Sequence, residues 1–280
     1  MHGLGNDFVI MNFMLGEPNR DWAEEARQIC DRRFGIGADG LVLLLPSDVA
    51  DLRMMIMNPD GSEAEMCGNA IRCVAKYVYE KGLIDDISIT VETGAGVLVP
   101  ELVWGDLADD TDFKVRVDMG KPVLAPVDIP VAVEGDRAIA RELTLDGKAI
   151  TYSAVSMGNP HCVVFVPDLE SVDYYRLGPA LEQHPLFPKK TNVEFVQVVN
   201  PSELKVRVWE RGAGETLACG TGACAVAVAG VLNQYSDRRV KVVLPGGSLD
   251  IEWAEDGRLF MTGPAENVFE GNWLRWQVKY

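Results

Sequence analysis

Two stretches of the chain read as edited copies of each other. Glu65-Met66-Cys67-Gly68-Asn69-Ala70-Ile71-Arg72-Cys73 and Leu217-Ala218-Cys219-Gly220-Thr221-Gly222-Ala223-Cys224 each place a Cys-Gly pair where a run of helical spacing begins. Cys67 and Cys219 are 152 positions apart, as are Asn58 and Glu210, and Gly5-Asn6-Asp7-Phe8 maps onto Gly158-Asn159-Pro160-His161 at 153. A register kept over such distances restricts the chain to folds with two halves built to one plan. Two helix starts related by a pseudo-twofold axis would bring one cysteine to each side of a single site.

The rest of the chain fits that plan. Apolar, β-branched runs predict strands at 7–14, 41–45 and 52–57, and then at 87–93, 96–103 and 113–118. Helical spacing covers 22–33 and 69–81, the latter with Ile71, Val74, Ala75 and Val78 as its apolar stripe and Gly82 as a stop. The second half repeats the order, with strands at 162–166, 193–199 and 203–209, a helix at 174–183, and strands at 240–244, 249–253 and 259–263. The segment 221–232 is apolar on every face and reads as a helix buried all round. The expected fold is α+β with two pseudo-symmetric lobes, each an antiparallel sheet or barrel wrapped around a central helix, and the active site in the cleft between them. We expect residues 1–117 with 266–280 to form the lobe carrying Cys67, residues 118–265 to form the lobe carrying Cys219, and the stretch 122–130 to cross between the halves.

A cysteine at a helix start sits among unpaired N–H groups and the positive end of the helix dipole. Both lower the thiol pKa, because they stabilise the thiolate. The following glycine admits a close neighbour to the backbone. The N–H groups of Gly68, Asn69, Gly220 and Thr221 would then form a cradle suited to a carboxylate. With a thiol on each face of the α-carbon, one could take a proton while the other delivers one, which inverts the centre. Cys73 and Cys224 lie on apolar helix faces and are assigned to the core.

Composition removes several classes. A net charge of −16 argues against a nucleic-acid partner, and no apolar run is long enough for a membrane helix. The opening Met1-His2-Gly3-Leu4 lacks the marks of a signal peptide. The expectation is a cytoplasmic protein, or one of an organelle stroma if a leader was removed. Six cysteines in 280 residues do not make a disulfide scaffold, and the C-x5-C and C-x4-C spacings fit structural zinc poorly. A Cys219–His161 hydrolase dyad would leave Cys67 unexplained, a thiol redox protein would want Cys-x-x-Cys, and a non-catalytic amino-acid binder would tolerate loss of both thiols.

Met1-His2-Gly3-Leu4-Gly5-Asn6-Asp7-Phe8, Asn58-Pro59-Asp60-Gly61-Ser62-Glu63, Cys67-Gly68-Asn69, Ser156-Met157-Gly158-Asn159-Pro160-His161 and the run from Glu210-Arg211-Gly212 to Cys219-Gly220-Thr221-Gly222 together resemble the signature of the diaminopimelate epimerase family. Pro245-Gly246-Gly247 and Met261-Thr262-Gly263-Pro264-Ala265 are similar to its C-terminal segment. The resemblance implies interconversion of LL- and meso-2,6-diaminopimelate in lysine biosynthesis, with no PLP, metal or other cofactor, and a homodimer as the assembly. It implies proton transfer by Cys67 and Cys219, assistance from His161 and Glu210, and a carboxylate cradle at Gly68, Asn69, Gly220 and Thr221. It also implies that Asn6, Asn58, Asn159, Asn192, Glu210 and Arg211 read the rest of the substrate, Arg211 through its planar fork. Two departures stand out. Ala70 replaces a frequent Gly, and Gly40 stands where some members carry a substrate-contacting Gln. Proline racemases are the neighbouring alternative, but these typically carry His after the first Cys-Gly, where this chain has Asn69.

Overall fold

The computed structural model describes residues 1–16, 18–104 and 113–274. Residues 275–280 of the segment expected to join the first lobe lie outside this set. Within it the duplication is visible element by element. The first unit runs His2–Gly3, Asn6–Asn12, helix α1 (Trp22–Ile29), Gly40–Leu45, Leu52–Met57, Glu63–Ala64, helix α2 (Gly68–Glu80), Val91–Thr93 and Gly96–Leu98. The second runs Lys148–Ser156, Pro160–Phe165, helix α3 (Tyr174–Glu182), Asn192–Asn200, Glu203–Glu210, Gly214–Thr216, helix α4 (Gly220–Leu232), Arg239–Leu244 and Gly247–Trp253. The starts of α1 and α3, of Gly40–Leu45 and Asn192–Asn200, and of α2 and α4 are each 152 positions apart, and α2 and α4 are both 13 residues long.

The α+β two-lobe architecture holds, and the sheets are mixed rather than antiparallel throughout. Four parallel pairings occur among the described residues. Asn6–Asn12 lies parallel to Gly40–Leu45, and Leu52–Met57 to Val91–Thr93. Pro160–Phe165 lies parallel to Asn192–Asn200, and Glu203–Glu210 to Arg239–Leu244. Each pair is joined through one of the four helices, as a parallel connection requires. The remaining pairs are antiparallel. One sheet of seven strands serves the first unit. The other, of eleven, runs from Arg141–Leu145 through the second unit to Leu259–Gly263, Phe113–Asp118 and Glu101–Trp104.

That last extension crosses between the halves. Phe113–Asp118 pairs with Leu259–Gly263, yet its Phe113, Val115 and Val117 pack on α2 with Leu102. Helix α4 carries Ala, Val and Gly around its circumference, and its residues from Gly222 to Gly230 are buried among Val155, Val206, Val242 and Leu249. Small side chains let the curved sheet lie close against the helix. Among the described residues no helix is long and apolar enough to cross a membrane.

The boundaries shift where turn chemistry intervenes. Helix α1 stops at Ile29, not at 33, because the chain turns back and the N–H groups of Ile36 and Gly37 donate to the Ile29 carbonyl. The strand expected at 96–103 is two short strands broken before Pro100. A hairpin, Arg141–Leu145 with Lys148–Ser156, closes through Asp146 and Gly147, both at positive φ.

The two halves interlock beside the cleft. Leu4 joins the apolar core of the second unit, and the Gly246 N–H donates to the Leu217 carbonyl. A Cβ at Gly246 would stand 2.0 Å from the Leu4 carbonyl oxygen. Neither backbone can retreat without opening this junction. Gly246→Ala is therefore expected to lower stability by about 1–3 kcal/mol, seen as an earlier urea midpoint with an unchanged slope.

Candidate active site

Helices α2 and α4 begin at the same opening. Cys67 and Cys219 are their N-caps, both with extended backbone (φ −143° and −130°), and the first i−4 bonds run from Ile71 N to Cys67 O and from Ala223 N to Cys219 O. The N–H groups of Gly68 and Asn69, and of Gly220 and Thr221, are thus free of intrahelical partners. They border a cavity of about 950 Å³ whose lining includes both cysteines, Asn6, Asn58, Asn159 and Glu210. Ten of the expected site residues meet there.

His161, Asn192 and Arg211 do not line it. His161 is wholly buried, with Nδ1 2.7 Å from Glu194 Oε1 and Nε2 2.9 Å from Asn159 Oδ1. Both ring nitrogens are thus engaged away from the thiols, and its link to the cavity runs through Asn159. Asn192 is buried too. Its amide donates to the Pro160 carbonyl, and its Oδ1 accepts from the Arg211 N–H at 2.9 Å, so it holds the loop rather than facing the cavity. Arg211 is exposed and turned away from the cavity, its guanidinium donating to the Lys189 carbonyl at 3.1 Å.

Each thiol has its own surroundings. The Cys67 sulfur lies 3.8 Å from Asn6 Oδ1, which also accepts from the Asn69 amide at 3.0 Å. Asn6 is fixed in turn by Asp39, and Asp39 by Arg32, which also clamps Asp7. Cys219 accepts from the Gly222 N–H at 3.4 Å and lies 3.5 Å from the Thr221 hydroxyl. On its other side is Glu210, whose Oε1 accepts from the Thr216 hydroxyl at 2.6 Å.

The field of the helix starts does not by itself make thiolates. Burial pushes the Cys67 thiol up, and the Ala70 and Asn69 N–H groups and the Arg72 guanidinium only partly offset it. Burial also pushes Cys219 well above the usual thiol range, and the Glu210 and Glu194 carboxyls push it further. The expected lowering is overturned because desolvation penalises the charged form more than the N–H groups reward it. Cys73 and Cys224, in the core as expected, are both pushed up to about 12 by burial.

The glycines after the cysteines have a packing reason that the sequence does not display. A Cβ at Gly68 would stand 2.9 Å from Met261 Cε, and one at Gly220 would stand 3.1 Å from Met261 Sδ. Met261 is wedged between the two helix starts, and the glycines let it fit. Sequence reasoning missed Met261 and the buried Glu194. Glu194 follows Val193 in an apolar strand, where a lone acid reads as solvent-facing, but this strand is buried on both faces from Asn192 to Val196.

Burial raises the Glu210 carboxyl above its usual value, with the Thr216 hydroxyl partly offsetting it. A carboxyl raised in the folded state binds its proton more tightly than in the unfolded chain. Stability therefore falls as pH rises through the window above the ordinary glutamate value. Glu210→Gln keeps the acceptor for Thr216 and removes this penalty. Its thermal midpoint should exceed that of the parent at pH 7, and the difference should close as pH falls below the usual carboxylate range.

The family model for diaminopimelate epimerase matches residues 1–125 and 153–268. The chain belongs to the diaminopimelate epimerase family. It is 55% identical over 273 residues to the diaminopimelate epimerase of Desulfitobacterium hafniense, covering 97% of this chain and 95% of that one. It is 51% identical over 275 residues to that of Methanococcus maripaludis, covering 97% of each. Solved structures extend the fold beyond the family. A Bacillus anthracis phenazine biosynthesis protein of the PhzF family superposes with a TM-score of 0.66 at 16% identity, covering 94% of this chain and 91% of that one. A probable proline racemase from Agrobacterium radiobacter does so at 0.64 and 17%, covering 94% and 88%. At such identities these likenesses speak to architecture alone.

Proposed function

We propose that the cleft interconverts LL- and meso-2,6-diaminopimelate by passing the α-proton between Cys67 and Cys219. One observation carries the reading: two helix starts of one design bring one cysteine each to a single cavity. Membership of the family, whose relatives are named for this substrate, makes the chain an isomerase and selects the amino acid.

The steps follow from the groups at hand. The α-carboxylate would be held by the N–H groups of Gly68, Asn69, Gly220 and Thr221, where two helix dipoles add their positive ends. A thiolate on one side takes the α-proton, and the electron pair of the broken C–H bond moves into the carboxylate. That charge grows where the N–H groups already point, so it is stabilised without reorganisation. The opposite thiol then gives its proton to the other face of the carbon. The product has inverted configuration, and the thiolate has changed sides. Glu210, beside Cys219, and the Asn159–His161–Glu194 chain behind it would favour the protonated thiol on that side and assist its proton handling. Arg211 would hold the distal carboxylate after its guanidinium leaves the Lys189 carbonyl.

The direct test is incubation with LL-diaminopimelate in deuterated water without added cofactor. Meso product with deuterium at the inverted α-carbon is the expected result. No exchange, or inversion with full retention of the original hydrogen, would reject the two-thiol route.

A further inference from the structure

Arg72 is a buried cation at the heart of the molecule. Its side chain is 0% exposed. Nε donates to the Pro264 carbonyl at 3.1 Å, and Nη1 donates to the Gly68 carbonyl at 3.0 Å and approaches Met261 Sδ at 3.8 Å. Nη2 has no hydrogen-bond partner, and among the described residues no carboxylate pairs with the guanidinium. The space around it is cleared by glycines, since a Cβ would stand 2.9 Å from Nη2 at Gly3 and 3.3 Å from Nε at Gly263. An uncompensated buried charge is costly, and an apolar side chain would pack between two apolar helices at no such cost.

The duplication sharpens the point. The position 152 residues further on is Cys224, an uncharged thiol in the core of the second unit. Near Cys67 the charged group is Arg72, with Glu210 across the cleft; near Cys219 the charged groups are Glu210 and Glu194, with His161 bonded to Glu194. One half has put a cation beside its reactive sulfur, and the other has put two carboxyls beside its own.

We propose that Arg72 is a positioning residue for the two-thiol reaction, a buried guanidinium without a counter-charge that makes Cys67 the resting thiolate while Cys219, flanked by Glu210 and Glu194, keeps its proton. This rests on the two-thiol reading given above. Arg72 is buried and does not line the cavity. It acts through the first turn of α2, whose Gly68 carbonyl it holds, and through its charge. Both thiols are pushed up by burial, but Arg72 is among the groups that offset the rise at Cys67, whereas Glu210 and Glu194 add to the rise at Cys219.

The test measures each thiol by itself. The parent, Arg72→Lys and Arg72→Met are alkylated with iodoacetamide across a pH series, and the Cys67 and Cys219 peptides are quantified by mass spectrometry. The pH at half-maximal rate reports each thiolate, independently of how open each sulfur is. In the parent Cys67 should titrate below Cys219. Arg72→Met should raise the Cys67 midpoint by about one to three pH units and move Cys219 less. Arg72→Lys should keep the parental order. Cys219 titrating first in the parent, or an unmoved Cys67 midpoint in Arg72→Met, would overturn the proposal. Should the Met variant fail to fold, the parent alone decides the order, and a reversed order in the folded Lys variant counts equally against it. No turnover enters these measurements, so a failure of the two-thiol reading, seen as epimerisation by a single-cysteine variant, is told apart from a failure here.

Discussion

Cys67→Ala and Cys219→Ala are each expected to lose epimerisation by roughly a hundredfold to ten-thousandfold, the range over which a positioned acid or base acts, with the fold retained. The two variants should then differ in what they leave behind. With one thiol gone, the other can still remove an α-proton and return it to the same face. Each variant should thus exchange hydrogen with solvent for only one stereoisomer, and the two should prefer opposite ones. The measurement is α-deuterium uptake from LL- and meso-diaminopimelate for each variant. Substantial turnover by either variant, or equal exchange of both isomers, would remove the two-sided arrangement from consideration. Both sulfurs line the one cavity, so both variants keep the carboxylate cradle intact.

The second large effect concerns the far end of the substrate. Lysine has the length of diaminopimelate without the distal carboxylate, and proline has neither distal group. Leaving a charged hydrogen-bonding group without its partner costs roughly 2–5 kcal/mol, so both should exchange their α-protons very slowly. Arg211→Met should lose most activity on diaminopimelate while gaining little on either analogue. Arg211 must leave the Lys189 carbonyl to act, so the loss should fall on KM as well as on kcat. Proline exchanging as fast as diaminopimelate would favour the proline-racemase-like alternative, with which this chain shares its architecture.

Much of the fold was legible because the duplicated elements carry their own punctuation. The Cys-Gly starts of α2 and α4, the all-apolar circumference of α4 and the repeat register all led to the right elements. Other features depend on partners that a sequence does not display. Parallel or antiparallel pairing depends on which strands become neighbours, and the helical crossovers decided it. The Arg141–Leu145 strand opens on two consecutive exposed polar residues, Arg141 and Glu142, which interrupts its alternation, although Asp146-Gly147 was a fair turn signal. Arg72 is not part of the apolar stripe of Ile71, Val74, Ala75 and Val78, and its burial depends on the approach of the second unit, whose Met261 and Pro264 it meets. At the site, residue types predicted the thiols and the cradle, but not the desolvation that lifts both thiols or the outward course of Arg211.

The joining of both units in one chain has a further consequence. A reaction that turns one hand of a carbon into the other runs forward and backward by the same event, so it favours equivalent tools on the left and the right. Two identical subunits would supply these, but every residue near the axis would then appear twice, and a guanidinium at position 72 would face its own copy. In a single chain that face meets Cys224 instead. The tools can stay matched while the charges that bias them, and the loops that tell the near end of the substrate from the far end, drift apart. Fusion frees the grip from the mirror while the chemistry keeps it.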